Sequence, residues 1–110
     1  MNISNNLLQA NNKYACIANS KAVSREASNC LHRLCKHFNH KVPASWDEQK
    51  GHIQFDMGEC YLTATKSSLS MRCLANDKDA LSEIVETMQG HYERFCREDI
   101  VALNWQFKQR

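Results

Sequence analysis

The chain has 110 residues and a mass of 12.7 kDa, enough for one domain with one core and too little for a barrel enzyme or a two-domain nucleotide enzyme. Hydrophobic residues make up 43% and charged residues 24%, a composition that excludes a disordered or collagen-like chain. The net charge of +2 lacks the basic excess of nucleic-acid binders, so no nucleic-acid partner is expected.

The N-terminal segment has the character of an extension. Residues 1–12 contain five asparagines and no apolar periodicity, which predicts a disordered extension, and residues 13–110 are expected to form a single α+β domain. The segment lacks the features of a secretion signal, and no stretch is long enough to span a bilayer. We therefore expect a cytoplasmic protein with no membrane partner.

The six cysteines are interpreted from that expected compartment. No pair has zinc-finger spacing, and cytoplasmic thiols stay reduced. Each cysteine is therefore predicted to be a free, small, buried hydrophobe. The set comprises Cys16, Cys30, Cys35, Cys60, Cys73 and Cys96.

The first elements are a weak strand and a clear helix. Apolar residues alternate over 13–19, which predicts a strand, and Ser20 is a suitable N-cap for the helix that follows. An apolar stripe of helical period runs from Val23 to Phe38. Pro43 forbids a continuation of the helix.

Four short strands are predicted next. A turn at 57–58 pairs Phe55 with Cys60, and a turn at 67–68 pairs Leu62 with Cys73. Both hairpins independently place the same apolar side chains on one face of the sheet. That face carries Ile53, Phe55, Cys60, Leu62, Ala64, Met71 and Cys73. The other face carries His52, Gln54, Tyr61, Thr63, Thr65, Ser70 and Arg72, and is either solvated or covered by a partner.

A second helix completes the predicted domain. It begins at Asn76 or Asp77, and its apolar stripe runs from Leu81 to Phe95. The apolar tail beyond Arg97 is expected to pack back on the domain. The order β-α-β-β-β-β-α predicts a two-layer α+β sandwich in which both helices cover one face of an antiparallel sheet, of the TATA-binding-protein-like type.

The two helical segments carry opposite charge. Residues 21–41 have five Lys or Arg and one acid, whereas residues 77–99 have seven acids and three bases. Two solvated faces that attract each other would explain this pattern. The alternative is a basic face that meets an anionic ligand or an acidic partner.

Histidines near the helix ends are the candidate metal ligands. His37 and His40 share one flank of the first helix, and His91 flanks the second, so the three form a site only if the helices touch there. Cys35 lies on the opposite flank of the first helix. The alternative to metal binding is that the helix dipole simply favours charged imidazole near the end of the first helix.

Several separated segments together resemble one bacterial family, known as domain of unknown function 2218. The resemblance covers about Tyr14 to Trp105 and departs from the family at Cys96, where a small residue such as alanine is expected. The segments that carry it are Leu34–Lys41, Gly51–Phe55, Gly58–Cys60, His91–Phe95 and Arg97–Glu98.

The resemblance implies a small bacterial cytoplasmic protein with no established activity and a link to siderophore or iron handling. An aldolase label attached to some relatives does not fit a chain of this length. The matching positions are candidate ligand-binding residues, with no assigned catalytic role. They are Cys35, His37, His40, Lys41, His91, Arg94, Arg97 and Glu98.

Three function hypotheses remain open at this point. The first is a non-enzymatic accessory module that binds a small molecule or a metal near His37, His40 and His91. The second is a protein-interaction module that forms a homodimer or binds a protein partner. The third is an enzyme that uses the thiol of Cys35 or Cys60. No cofactor is identified by any motif.

Overall fold

Two helices and six strands make up the structure, a computed structural model that describes residues 14–96 and 103–109. The extension predicted over 1–12 lies outside the described residues. In chain order the elements are β1 (Cys16–Val23), α1 (Ala27–Phe38), β2 (Ala44–Trp46), β3 (Lys50–Phe55), β4 (Gly58–Ala64), β5 (Ser68–Ala75), α2 (Lys78–Phe95) and β6 (Asn104–Gln109).

The strands form one open antiparallel sheet in the order β2-β3-β4-β5-β1-β6. Helix α1 packs over β2 to β4 and α2 over β4, β5 and β1, so the protein has the predicted α+β architecture. The predicted order lacked the last strand. The apolar tail does pack back, and it does so as β6, which pairs with β1.

The helices bury the stripes that their periodicity predicts. Buried side chains line α1 from Ala27 to Phe38 and α2 from Leu81 to Tyr92. Asp77 is the N-cap of α2 and accepts a hydrogen bond from the backbone N–H of Ala80. The predicted start of α1 was wrong, because Ser20 and Val23 belong to β1, whose pairing with β5 extends that far.

Both hairpins keep the predicted faces but not the predicted pairs. Ile53 pairs with Cys60, and Cys60 in turn pairs with Cys73, two residues from the predicted registers. Each turn lies one residue earlier than expected, which moves the partner by two positions. Because side chains alternate with a period of two, that shift leaves every residue on its predicted face.

Close packing, and not turn geometry, requires a glycine at Gly51 and at Gly58. No described glycine has a positive φ. A Cβ on Gly51 would lie 2.6 Å from Sγ of Cys35, and one on Gly58 would overlap the carbonyl oxygen of Leu74. Gly51 therefore lets α1 approach β3, and Gly58 lets β4 approach β5.

The prediction for the cysteines was partly wrong. All six are buried, but Cys30 of α1 is bonded to Cys96 at the end of α2, with 5.4 Å between their Cα atoms. The other four are free. The bonded residues are 66 positions apart, so only the packing of the two helices brings them together.

Candidate functional site

The last turns of the two helices meet through aromatic and imidazole rings. The ring centroids of His37 and His91 are 5.0 Å apart. His37 also packs against Phe95 at 4.8 Å, and His91 against Phe38 at 4.6 Å. Each histidine is thereby held between an aromatic ring and the other histidine, and both are half-buried.

A hydrogen bond orients His91. Its Nδ1 lies 2.7 Å from the carbonyl oxygen of Thr87, and because a carbonyl oxygen can only accept, Nδ1 carries the proton. Within the described residues, Nε2 of His91 has no hydrogen-bond partner. That nitrogen is therefore left for a ligand.

Further basic groups surround this histidine pair. Burial lowers the pKa of His37, and the nearby charges of His91, Lys41, His40 and Arg94 lower it further. The helix dipole alone would favour the charged imidazole of His37, but burial and these charges lower its pKa. These five residues form what we call the helix-end patch, in which positive charge accumulates.

A second polar cluster lies on the opposite face of the sheet. Glu59, only 9% exposed, accepts hydrogen bonds from Tyr14 at 2.5 Å, from Nε2 of His52 at 2.6 Å and from Tyr61 at 3.1 Å. Burial alone would raise the pKa of Glu59, but the three donors outweigh it and the pKa is lowered. Burial and the Glu59 carboxylate together raise the pKa of Tyr14 to about 12.

The comparison with family models decides which group of proteins this chain represents. Residues 19–106 match the model for uncharacterised proteins conserved in bacteria, domain of unknown function 2218. The chain belongs to this family. The resemblance inferred from the sequence motifs is thereby confirmed.

A solved structure is similar to this member of the family. An NMR structure of PA4090 from Pseudomonas aeruginosa is 26% identical and superposes with a TM-score of 0.70, over 82% of this chain and 94% of that chain. The comparison with curated proteins found no match. No helix among the described residues has the length and apolar character that crossing a membrane requires.

The predicted family residues divide between the patch and the core. His37 and His91 come together, so the condition set by the sequence, that the helices touch there, is met; His40, Lys41 and Arg94 are exposed around them. Arg97 and Glu98 lie outside the described residues.

Cys35 is fully buried beneath Gly51 and belongs to the core, so it does not join the helix-end patch. Its burial raises the pKa of the thiol to about 11. The pKa of Cys60 is also raised, by its contact with Cys73 at 3.8 Å between sulfurs and by burial. Neither thiol is an accessible nucleophile at neutral pH.

The arrangement of the described residues does not support a metal site. Within 14–96 and 103–109, no three His, Cys, Asp or Glu side chains are grouped as metal ligands. Metal binding by His37, His40 and His91 stays a prediction.

Sequence reasoning missed Glu59. His52 and Tyr61 were placed on the polar face, but Glu59 was not assigned to it. Glu59 precedes Tyr61 by two positions on β4, and the period-2 rule puts both on one face. The alternation therefore contained the signal, although Tyr14 could be added only from the fold.

Proposed function

We propose that the protein is a non-enzymatic accessory module that binds a small anionic ligand at the helix-end patch. The observation that carries the proposal is the contact between His37 and His91 within a surround of Lys41, His40 and Arg94. Two imidazoles that meet among further cations repel each other when charged. An anion would neutralise this positive potential and favour the protonated histidines.

The hydrogen-bonding groups of the patch support the same conclusion. Nε2 of His91 has no hydrogen-bond partner among the described residues and donates when His91 is protonated, whereas the exposed ends of Lys41 and Arg94 always donate. Arginine binds carboxylate and phosphate groups in a two-pronged geometry, whereas lysine supplies a point charge. A ligand with a carboxylate or phosphate group therefore fits this donor set.

The family resemblance suggests one ligand class to test first. Its implied link to iron and siderophore handling is consistent with an anionic ligand, because ferric chelates with carboxylate groups carry negative charge. The buried, weakly acidic thiols of Cys35 and Cys60 support a role without thiol catalysis.

Titration calorimetry with citrate, ferric citrate and inorganic phosphate tests this function. We expect at least one anion to bind with a dissociation constant below about 1 mM. Arg94→Gln and His37→Gln should each weaken that binding about tenfold, the loss of one charged hydrogen bond. Lys66→Gln in the exposed β4–β5 turn removes the same charge elsewhere and should leave binding unchanged.

Two results would refute the proposal. One is the absence of binding by every anion in the millimolar range. The other is an equal loss of affinity in Arg94→Gln and Lys66→Gln, which would indicate general charge attraction instead of a site.

Self-association is a second candidate function, favoured by one observation. Phe107 on β6 is 59% exposed, and among the described residues no strand pairs with the outer edge of β6. Such an edge can pair with a second copy. Light scattering should then give a dimer that Phe107→Glu converts to a monomer, and a monomeric wild-type protein would exclude this function.

A further inference from the structure

A groove crosses the face of the sheet that carries no helix. It has a volume of about 570 Å³ and is formed by β4, β5, β1 and β6. The register places Tyr61, Arg72, Asn19 and Gln106 side by side in one row across these four strands. The groove is therefore built on paired strands, which fix the spacing between its side chains.

The neighbouring row adds hydroxyl, amide and ammonium groups. Thr63, Ser70, Lys21 and Asn104 are opposite one another in the same way. Both rows line the groove, and no carboxylate is among its described lining residues. Lys21 and Arg72 thus give this surface a net positive charge.

Most of these polar groups are free to bind a ligand. Within residues 14–96 and 103–109, Lys21 and Arg72 form no ion pair. The amide and hydroxyl side chains of the two rows, apart from Tyr61, make no side-chain hydrogen bond within the same part of the chain. These unpaired donors and acceptors are held at fixed spacing by paired strands, so the surface can bind a polar ligand.

Tyr61 is the aromatic side chain of the groove, and its orientation is fixed. Its hydroxyl donates to Oε1 of Glu59 at 3.1 Å, and His52 stacks on its ring with 4.6 Å between centroids. His52 is itself held by Glu59 at 2.6 Å. Glu59 is therefore a positioning residue that presents the Tyr61 ring to the groove.

We propose that this groove is a second binding site, for a small polyhydroxylated anion such as a sugar acid or a sugar phosphate. Arg72 and Lys21 pair with the acid group. The amide and hydroxyl side chains bond to the ligand hydroxyls, and the ring of Tyr61 packs against the apolar face of the sugar. The groove volume is within the usual range for small-molecule sites.

This site is independent of the helix-end patch. The helices cover one face of the sheet, and the groove lies on the other. A variant of the patch such as His37→Gln is therefore a control that should leave groove binding unchanged.

Amide NMR titrations with gluconate and with a hexose phosphate test the proposal, with glucose and inorganic phosphate as the corresponding partial ligands. We expect shifts of amides in β1, β4, β5 and β6 that saturate separately from any shifts at the ends of α1 and α2, and groove dissociation constants of about 1 mM or tighter for at least one anion. Glucose and inorganic phosphate should each bind at least about tenfold more weakly, because each supplies only half of the contacts. The relative affinities of the two anions identify the preferred acid group.

Variants assign the contacts. Arg72→Gln and Tyr61→Ala should each weaken binding about tenfold. Tyr61→Phe keeps the ring and loses only the bond to Glu59 that orients it, so it should weaken binding less than Tyr61→Ala. The proposal is overturned if neither anion shifts the groove amides, if the tighter-binding anion binds the groove no better than glucose or inorganic phosphate, or if His37→Gln weakens groove binding as much as Arg72→Gln.

Discussion

Tyr14 donates a hydrogen bond of 2.5 Å to Oε2 of Glu59 across 45 positions of sequence. Tyr14 is 5% exposed and precedes β1, whereas Glu59 lies on β4. The contact ties the start of the described chain to the middle of the sheet, and it stabilises a buried carboxylate by hydrogen bonding. Removing the carboxylate charge should therefore have a measurable cost.

Glu59→Gln is expected to lower the free energy of unfolding by about 1–3 kcal/mol at neutral pH, because an amide cannot accept all three donated hydrogen bonds. Since the pKa of Glu59 is lowered in the folded protein, its contribution to stability is full above the pKa of an unfolded glutamate and is lost as the pH falls through the folded value. Urea unfolding of both proteins across the acid range measures this difference.

The control for that experiment is Glu83→Gln on the exposed face of α2, which should change stability by less than about 0.5 kcal/mol. A difference between wild type and Glu59→Gln that stays constant as the pH falls would contradict the assigned role of the carboxylate.

Two glycine substitutions should act in opposite directions. Nothing lies within 4 Å of a Cβ built on Gly90, which is exposed in α2, so Gly90→Ala should stabilise the protein by about 0.5–1 kcal/mol. A Cβ on Gly58 would overlap the carbonyl oxygen of Leu74 and lie 2.8 Å from Cδ1 of Ile84. Gly58→Ala should therefore destabilise the protein by about 1–3 kcal/mol.

Thermal and urea unfolding measure both glycine effects. A loss of stability in Gly90→Ala would show that an unrecognised surface packs against that side of α2. It would then indicate that Gly90 permits close approach of another chain.

The sequence predicts well whatever depends on local periodicity. The stripe on each helix and the two faces of the hairpins follow from periods of 3.6 and 2, and both survive errors of one residue at a turn. The start of α1 was not predictable in this way, because Ser20 is a good cap by composition while its pairing with Met71 keeps it in β1.

The remaining errors concern contacts between distant segments. The Cys30–Cys96 bond and the hydrogen bond from Tyr14 to Glu59 require the packed fold, and neither has a spacing rule. The meeting of His37 and His91 was predictable only as a condition, since helix phases give the flank that a residue occupies and not the neighbour it meets.

The disulfide between Cys30 and Cys96 should stabilise the oxidised protein. Its closed loop of 66 residues removes entropy from the unfolded chain, with an effect of at most about 4 kcal/mol. The double variant Cys30→Ala with Cys96→Ala should unfold at correspondingly lower urea concentration. Reductant should destabilise the wild-type protein and leave the double variant unchanged. Equal stability of wild type with and without reductant, together with six titratable thiols after unfolding, would contradict the bond.

His37 should make stability depend on pH near neutrality. Its pKa is lowered in the folded protein, so the unfolded chain binds more protons and stability rises with pH between the lowered value and about 6.5, the ordinary histidine pKa. His37→Gln should remove that rise and make the variant less sensitive to acid than the wild type. Lys36→Gln is the control on the exposed side of α1, because it removes a neighbouring charge, leaves the His37 imidazole in place and should keep the rise.

An anion at the helix-end patch should reverse the effect of His37 on pH dependence. The negative charge favours protonated His37, so binding takes up a proton and tightens as the pH falls through the folded pKa. Calorimetry of the tightest anion in buffers of different ionisation enthalpy measures this proton uptake directly. His37→Gln should reduce the uptake while Lys66→Gln retains it. Proton release on binding, or an affinity independent of pH, would show that the anion binds away from the histidine pair.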